Sequence, residues 1–303
     1  MSLLVVGSVA FDSVKTPFGE ADDVLGGSAT YFSTAACYFT DVSVVAVVGS
    51  DFPDKHLTFL KSRKIDIEGI EKTEGKTFRW KGEYGYDLNE ARTLDTQLNV
   101  FQSFKPKLPE SYKNKNVVFL ANIDPDLQRE VLEQVENPSL VACDTMNFWI
   151  EGKKDSLLKT LKMVDILLIN DGEARELSGE PNLVKAANVI HSFGPKTLII
   201  KQGEYGALMF KDARIFSAPA YPLESVFDPT GAGDSFAGGF MGYLSSTMNF
   251  EDSNMRKAII FGSVMASYNV EAFSLDRIKS LDYTELESRF REFQRLTHFE
   301  DLT

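Results

Sequence analysis

The chain is expected to fold as an α/β protein with a mostly parallel sheet covered on both faces, and three observations carry that expectation. Short, nearly continuous apolar runs alternate with amphipathic stretches along most of the sequence, as buried strands flanked by helices do. Of its 303 residues 43% are hydrophobic and 25% charged, ordinary values for a globular chain long enough to bury a large core. Residues 73–104 interrupt the alternation with hairpin signals in place of another strand–helix unit.

In chain order, residues 3–8, 42–48, 117–121, 140–143, 166–169, 197–201 and 207–210 read as strands, each a short run dominated by apolar residues. Helices are expected between and after them at 28–39, 54–64, 126–135, 153–163, 172–178, 183–193, 231–246, 253–270 and 284–296. The stretch Thr77-Phe78-Arg79-Trp80-Lys81-Gly82-Glu83-Tyr84, followed by a second polar–apolar run, reads as an antiparallel hairpin. With residues 13–25 it is expected to form a small sheet standing off the main body, a lid over the end where strand C-termini open. The expected organisation is therefore one domain, 1–303, with lid segments at about 13–25 and 73–104.

Lys plus Arg number 32 and Asp plus Glu 44, for a net charge of −12, which argues against nucleic acid or anionic membrane as a partner. No apolar run reaches the roughly 20 residues that cross a bilayer. The N-terminus has no basic segment ahead of its first apolar run, so a cytoplasmic location is expected. The two cysteines, Cys37 and Cys143, form no spaced motif and read as reduced core residues. His56, His191 and His298 have no metal-ligand spacing. No Gly-x-x-x-x-Gly-Lys-Ser/Thr run is present, and the first strand carries Gly7 alone, so P-loop and dinucleotide-binding chemistry are set aside.

The most informative segment is Asp228-Pro229-Thr230-Gly231-Ala232-Gly233-Asp234-Ser235-Phe236-Ala237-Gly238-Gly239-Phe240. Pro229 places the helix start just after it. Gly231, Ala232 and Gly233 would then leave bare N–H groups at the positive end of that helix, a ready site for phosphate or for oxygen gaining charge. Asp234 stands beside this anion site, where a carboxylate repels the anion unless it does chemistry there. Removing a proton from an attacking hydroxyl is the obvious task.

This segment resembles the C-terminal signature of the PfkB (ribokinase-like) family of sugar and nucleoside kinases. The resemblance implies a ribokinase-like three-layer α/β/α sandwich with a small β-sheet lid, Gly231–Gly233 as the anion hole and Asp234 as catalytic base. Asp12, at the end of the first strand, is similar to the family's substrate aspartate, and a carboxylate there can accept from two sugar hydroxyls. Gly26-Gly27 looks like the family's substrate glycines, permitting a sharp turn and close approach of a ligand. Where the family usually has asparagine after that pair, Tyr31 stands here and could offer an aromatic face to a ring or base. Asn170-Asp171-Gly172-Glu173 is compatible with a helix capping box. The resemblance also assigns Asn170 and Glu173 to organising Mg²⁺ and phosphate, with Glu173 acting through water. Lys201 and the Gly203/Gly206 turn resemble the nucleotide loop, Asn269 the end of the helix flanking adenine, and Asp228 the acid beside a monovalent-cation site that would hold K⁺. Arg79, Trp80 and Arg92 would close over the substrate from the lid.

The implied reaction moves the γ-phosphoryl of ATP, with Mg²⁺, to a primary hydroxyl of a sugar or polyol. A nucleoside kinase is the alternative, encouraged by Tyr31 and the lid aromatics Phe78, Trp80, Tyr84 and Tyr86. A catalytically silent nucleotide- or sugar-binding protein is a third reading, opposed by the presence of Asp234 next to an intact Gly-Ala-Gly. Lid sheets expose pairing edges, so a homodimer through the lid is expected.

Overall fold

The computed structural model describes residues 2–298 and residue 300. Its main sheet has nine strands. Seven run parallel: β1 (Ser2–Val6), β4 (Asp41–Gly49), β5 (Ile65–Thr73), β8 (Val117–Leu120), β9 (Leu140–Asp144), β10 (Ile166–Asn170) and β11 (Thr197–Lys201). Two antiparallel strands, β12 (Ala207–Lys211) and β13 (Arg214–Ala218), finish one edge, and β5 forms the other.

Because successive residues of a strand point to opposite faces, a strand apolar at every position must be covered on both. In β1, Leu3 and Val5 enter one core while Leu4 and Val6 enter the other. The first core lies under α1 (Ser28–Ala36), α8 (Ala232–Thr247) and α9 (Asp252–Asn269). The second lies under α3 (Pro125–Leu132), α5 (Lys154–Leu161), α6 (Asp171–Ser178) and α7 (Leu183–His191). This is the expected three-layer sandwich. No helix among the described residues is long and apolar enough to cross a membrane.

Three elements fall outside the expectation: β5, β13 and the short α4 (Asn147–Gly152). The sequence of β5, Ile65-Asp66-Ile67-Glu68-Gly69-Ile70-Glu71, alternates apolar with acidic residues because an edge strand is only half covered. A search for continuous apolar runs passes over it.

The small sheet is built from β2 (Ala10–Thr16), β3 (Gly19–Gly26), β6 (Arg79–Tyr84) and β7 (Ala91–Gln97), in the order β3-β2-β6-β7. It joins two antiparallel hairpins through one parallel pairing of β2 with β6. Of residues 73–104, only the part through Gln97 belongs to it; Val100 and Phe104 already pack into the main core.

Helix α8 is the densest contact in the fold. A Cβ on Gly238 would sit 2.4 Å from the Phe32 carbonyl oxygen of α1, and one on Gly239 would sit 2.6 Å from the Phe261 carbonyl oxygen of α9. The small residues after Asp234 therefore seat α8 between α1 and α9. The Phe32 ring stacks on Phe119 of β8 at 4.3 Å and is fully buried, which locks α1 to the sheet. Phe32→Ala is expected to cost about 3–5 kcal/mol of unfolding free energy, measured by urea denaturation.

Candidate active site

The C-terminal ends of the parallel strands and the tip of α8 meet beneath the small sheet. Gly231 caps α8 with φ of 75°, a conformation that ordinary side chains resist. A Cβ there would also lie 2.4 Å from the Tyr31 ring. The Ala232 amide is taken by the Pro229 carbonyl at 3.1 Å, and the Ser235 amide by Gly231 at 2.8 Å. Among the described residues, no protein acceptor meets the amides of Gly231, Gly233 or Asp234. The open donors are thus Gly231, Gly233 and Asp234, and Ala232, expected among them, is committed to the turn.

Around this tip stand Asp234, Asp144 at the end of β9, Glu173 in the first turn of α6, and Lys201 at the end of β11. Burial pushes the Asp234 carboxyl up to about 7; Asp144 and Asp12 push the same way and Lys201 opposes them. Glu173 is likewise raised, by burial and then by Asp144, against Lys201 and the Asn170 amide. For Lys201, burial alone would lower the pKa, but Asp144, Glu173 and Asp234 outweigh it and the ammonium is held charged. Its Nζ lies 3.6 Å from Asp144 Oδ2 and would be 2.9 Å from a Cβ on Gly233. One cation thus serves three carboxylates while touching the floor of the open amides. Asn170 and Glu173 complete the capping box, each accepting the other's amide at 2.7 Å, through Glu173 Oε2. Among the described residues, no three His, Cys, Asp or Glu side chains converge closely enough to hold a metal directly. An excess of carboxylates without a closed cage suits Mg²⁺, which keeps its waters and takes further oxygens from phosphate.

On the small-sheet side, Asp12 lies over Gly26, where a Cβ would meet its Oδ2 at 2.0 Å. Burial pushes this carboxyl up to about 7; Asp228 adds to the rise, and the Gly27 amide and Tyr31 hydroxyl, both facing it, oppose it. Gly27 takes φ of 95° at the start of α1, with the Ser8 carbonyl where a Cβ would be. Asp12 is close enough to Asp234 to raise the cost of its charge, and both acids bear on Tyr31 between them. The structure brings together Asp12, Gly26, Gly27, Gly231, Gly233, Asp234, Lys201, Asn170 and Glu173.

Other expected residues lie elsewhere or are engaged differently. Arg79 bonds Asp23 at 2.6 Å and Asp51 at 3.0 Å and stacks on Phe11, so it staples the small sheet to the body. Arg92 pairs with Glu83 on the outer face and is 72% exposed, away from the site. Tyr31 is buried with its ring against Gly231, so it offers no open face; only its hydroxyl, which has no hydrogen-bond partner, is turned toward Asp12. Asn269 accepts from Ser235 Oγ at 2.9 Å and donates to the Thr230 carbonyl at 2.8 Å, tying α9 to the α8 tip from behind. Asp228 accepts the amides of Thr230 at 2.9 Å and Ser274 at 3.1 Å, fixing the same loop. Gly203 abuts the Asn89 side chain at the β6–β7 turn, and Gly206 takes φ of 95° against the Ala218 carbonyl.

Sequence reasoning missed Asp144, Thr230 and Tyr84 as site residues. Asp144 closes a buried strand at the same edge as Asn170, a positional signal that was readable. Tyr84 reaches Thr230 across the gap, with its hydroxyl 3.3 Å from Thr230 Oγ1. Burial, then Asp228, Asp12 and Asp234, push the phenol up to about 12 against the Thr230 bond. Only the closing of the small sheet onto α8 brings them together.

The sequence profile described as "pfkB family carbohydrate kinase" matches residues 14–278. A cytidine kinase from Thermococcus kodakarensis is 31% identical over 83% of this chain and 91% of its own length. The fold is shared with the Methanocaldococcus jannaschii nucleoside kinase, at 20% identity, TM-score 0.76, and coverage of 96% of this chain and 98% of that one. It is also shared with a ribokinase II candidate from E. coli solved in complex with ATP and Mg²⁺, at 17% identity, TM-score 0.78, and coverage of 96% and 99%.

Gly231→Ala is expected to lose stability and turnover together, since the αL conformation alone costs about 1–2 kcal/mol and the methyl group must displace the Tyr31 ring. Thermal unfolding and ADP release check it; an unshifted Tm would show that the tip adapts.

Proposed function

The chain belongs to the pfkB carbohydrate-kinase family, and from that premise we propose that it phosphorylates the primary hydroxyl of a ribonucleoside. The observation that carries the chemistry is the placement of Asp234 beside open amides and a buried lysine, with Asp12 across the gap. The nucleoside is preferred to a free sugar because a relative 31% identical and matched along most of the chain is described as a cytidine kinase. A sugar or polyol acceptor, the first expectation from the sequence, is the second reading, favoured by the family's description as carbohydrate kinases.

Asp12 accepts hydrogen bonds from the sugar hydroxyls, with the Gly26-Gly27 backbone leaving room for the ring. Asp234 takes the proton from the primary hydroxyl as that oxygen attacks. A carboxyl poised near neutrality is suited to this, because about half of it is ionised at neutral pH while it stays basic enough to hold the proton. The amides of Gly231, Gly233 and Asp234 stabilise charge on the moving phosphoryl oxygens, and Lys201 adds a full positive charge next to them. ATP supplies the phosphoryl group, and Mg²⁺ would be held through water by Glu173, with Asp144 beside it. Asp228 and Asn269 keep the tip in place.

A panel of nucleosides, sugars and polyols assayed for ADP formation tests the reading; nucleoside turnover is expected, and turnover of sugars alone would establish the second reading. Asp234→Asn is expected to lower kcat by about 10²–10⁴ with ATP affinity little changed. Since Asp234 must be ionised to act, kcat/KM should fall as pH drops below about 7. Asp12 ionises in the same range, so the acid limb should be steeper than one proton and relax toward one in Asp12→Asn.

A further inference from the structure

The inner face of the small sheet carries a feature that the phosphoryl-transfer machinery leaves unused. In the parallel ladder of β2 with β6, Asp12 pairs with Trp80 and Val14 with Gly82, so Asp12, Trp80, Gly82 and, two residues on, Tyr84 share one face. Tyr84 meeting Thr230 fixes that face as the one turned toward the tip of α8. On it the Trp80 indole lies across Gly82. A Cβ there would come within 2.2 Å of its Cη2 and 2.4 Å of its Cζ2. The indole Nε1 donates to Thr93 Oγ1 on β7 at 3.2 Å, and Thr93 is the residue paired with Gly82. The ring therefore extends from β6 toward β7, away from Asp12, with one face on the backbone of a residue that has no side chain. Trp80 is half-buried, so part of the ring remains open to solvent.

Resting on the nucleoside reading above, we propose that the Trp80 indole is the platform on which the heterocyclic base of the acceptor stacks. Adjacent strands lie about 5 Å apart. Ribose hydroxyls held by Asp12 on β2 therefore leave the base over β6 and β7, where the indole lies. An aromatic face accepts any flat heterocycle without reading its edge. A free pentose held by the same carboxylate ends short of the ring and gains nothing from it. Trp80 is on this account a specificity-determining residue: it selects acceptors that carry a base and takes no part in the proton or phosphoryl step. Gly82 is the positioning residue, since any side chain there lifts the indole from the sheet.

The chain has two tryptophans, Trp80 and Trp149, so Trp149→Phe leaves Trp80 as the single emitter. Titrating that variant with cytidine and with ribose should quench the emission with cytidine and not with ribose. Trp80→Leu should raise KM for cytidine by about 5- to 100-fold with kcat within about threefold, and Trp80→Phe should recover most of the loss. Gly82→Ala retains the tryptophan and should shift KM in the same direction. Unchanged KM in both Trp80→Leu and Gly82→Ala, or equal quenching by cytidine and ribose, overturns the proposal. If the wild-type enzyme turns over nucleosides while these variants behave as wild type, this inference alone fails. If no nucleoside is turned over and none quenches Trp80, the nucleoside reading fails with it; quenching without turnover sustains the platform and removes the assigned reaction.

Discussion

Everything at the site depends on holding one helix tip in a left-handed conformation that favours glycine, with an aromatic ring packed against it. The backbone at Gly231 turns with positive φ so that Gly233 and Asp234 present free amides, and the Tyr31 ring fills the volume where a side chain would stand. That turn is not self-supporting. Asp228 secures the Thr230 amide, Asn269 secures the Thr230 carbonyl, and Ser235 is bonded to the same Asn269. Two polar side chains that are almost wholly buried are thus spent on the loop preceding the helix, consistent with the rule that interior polar groups must find partners.

The second constraint is electrostatic. Asp144, Glu173 and Asp234 lie close enough to one lysine to share it, and burial makes each charge costly. Such an arrangement is poorly balanced by the protein alone. A divalent cation with bound phosphates would bring both signs of charge, the negative part suited to the free amides and Lys201 and the positive part to the carboxylates. Asp12 is separate from this set. It stands in the small sheet, with the Gly27 amide and the Tyr31 hydroxyl facing it and the like charge of Asp228 nearby.

The small sheet is fastened to the body at several points. Arg79 bridges Asp23 and Asp51, Thr16 donates to the Phe227 carbonyl at 2.9 Å, Ser274 donates to Leu25 at 2.6 Å, and Tyr84 reaches Thr230. Arg79 had been expected to grip substrate, and Arg92 with it. Composition marked both as cationic and lid-borne, but the direction of a strand side chain depends on register, and register is set by pairing partners far away in sequence. Tyr31 was misjudged for a related reason: helix position was readable, while the Gly231 backbone covering its ring comes from 200 residues further along the chain.

What the sequence by itself determined was whatever local chemistry dictates. Continuous apolar runs required strands buried on both faces, Pro229 with its glycines required a bare helix start, and the Asn170–Glu173 spacing required a cap. From these the three-layer fold, the bare helix tip and the adjacent acid were legible. Tertiary structure alone decided which tip amides stay open, that Asp144 joins Glu173 and Asp234 around Lys201, and that the Trp80 indole lies across Gly82. Each of these depends on the through-space distance between residues on different strands or helices. Burial and Coulomb interactions act over those distances, and chain spacing does not encode them.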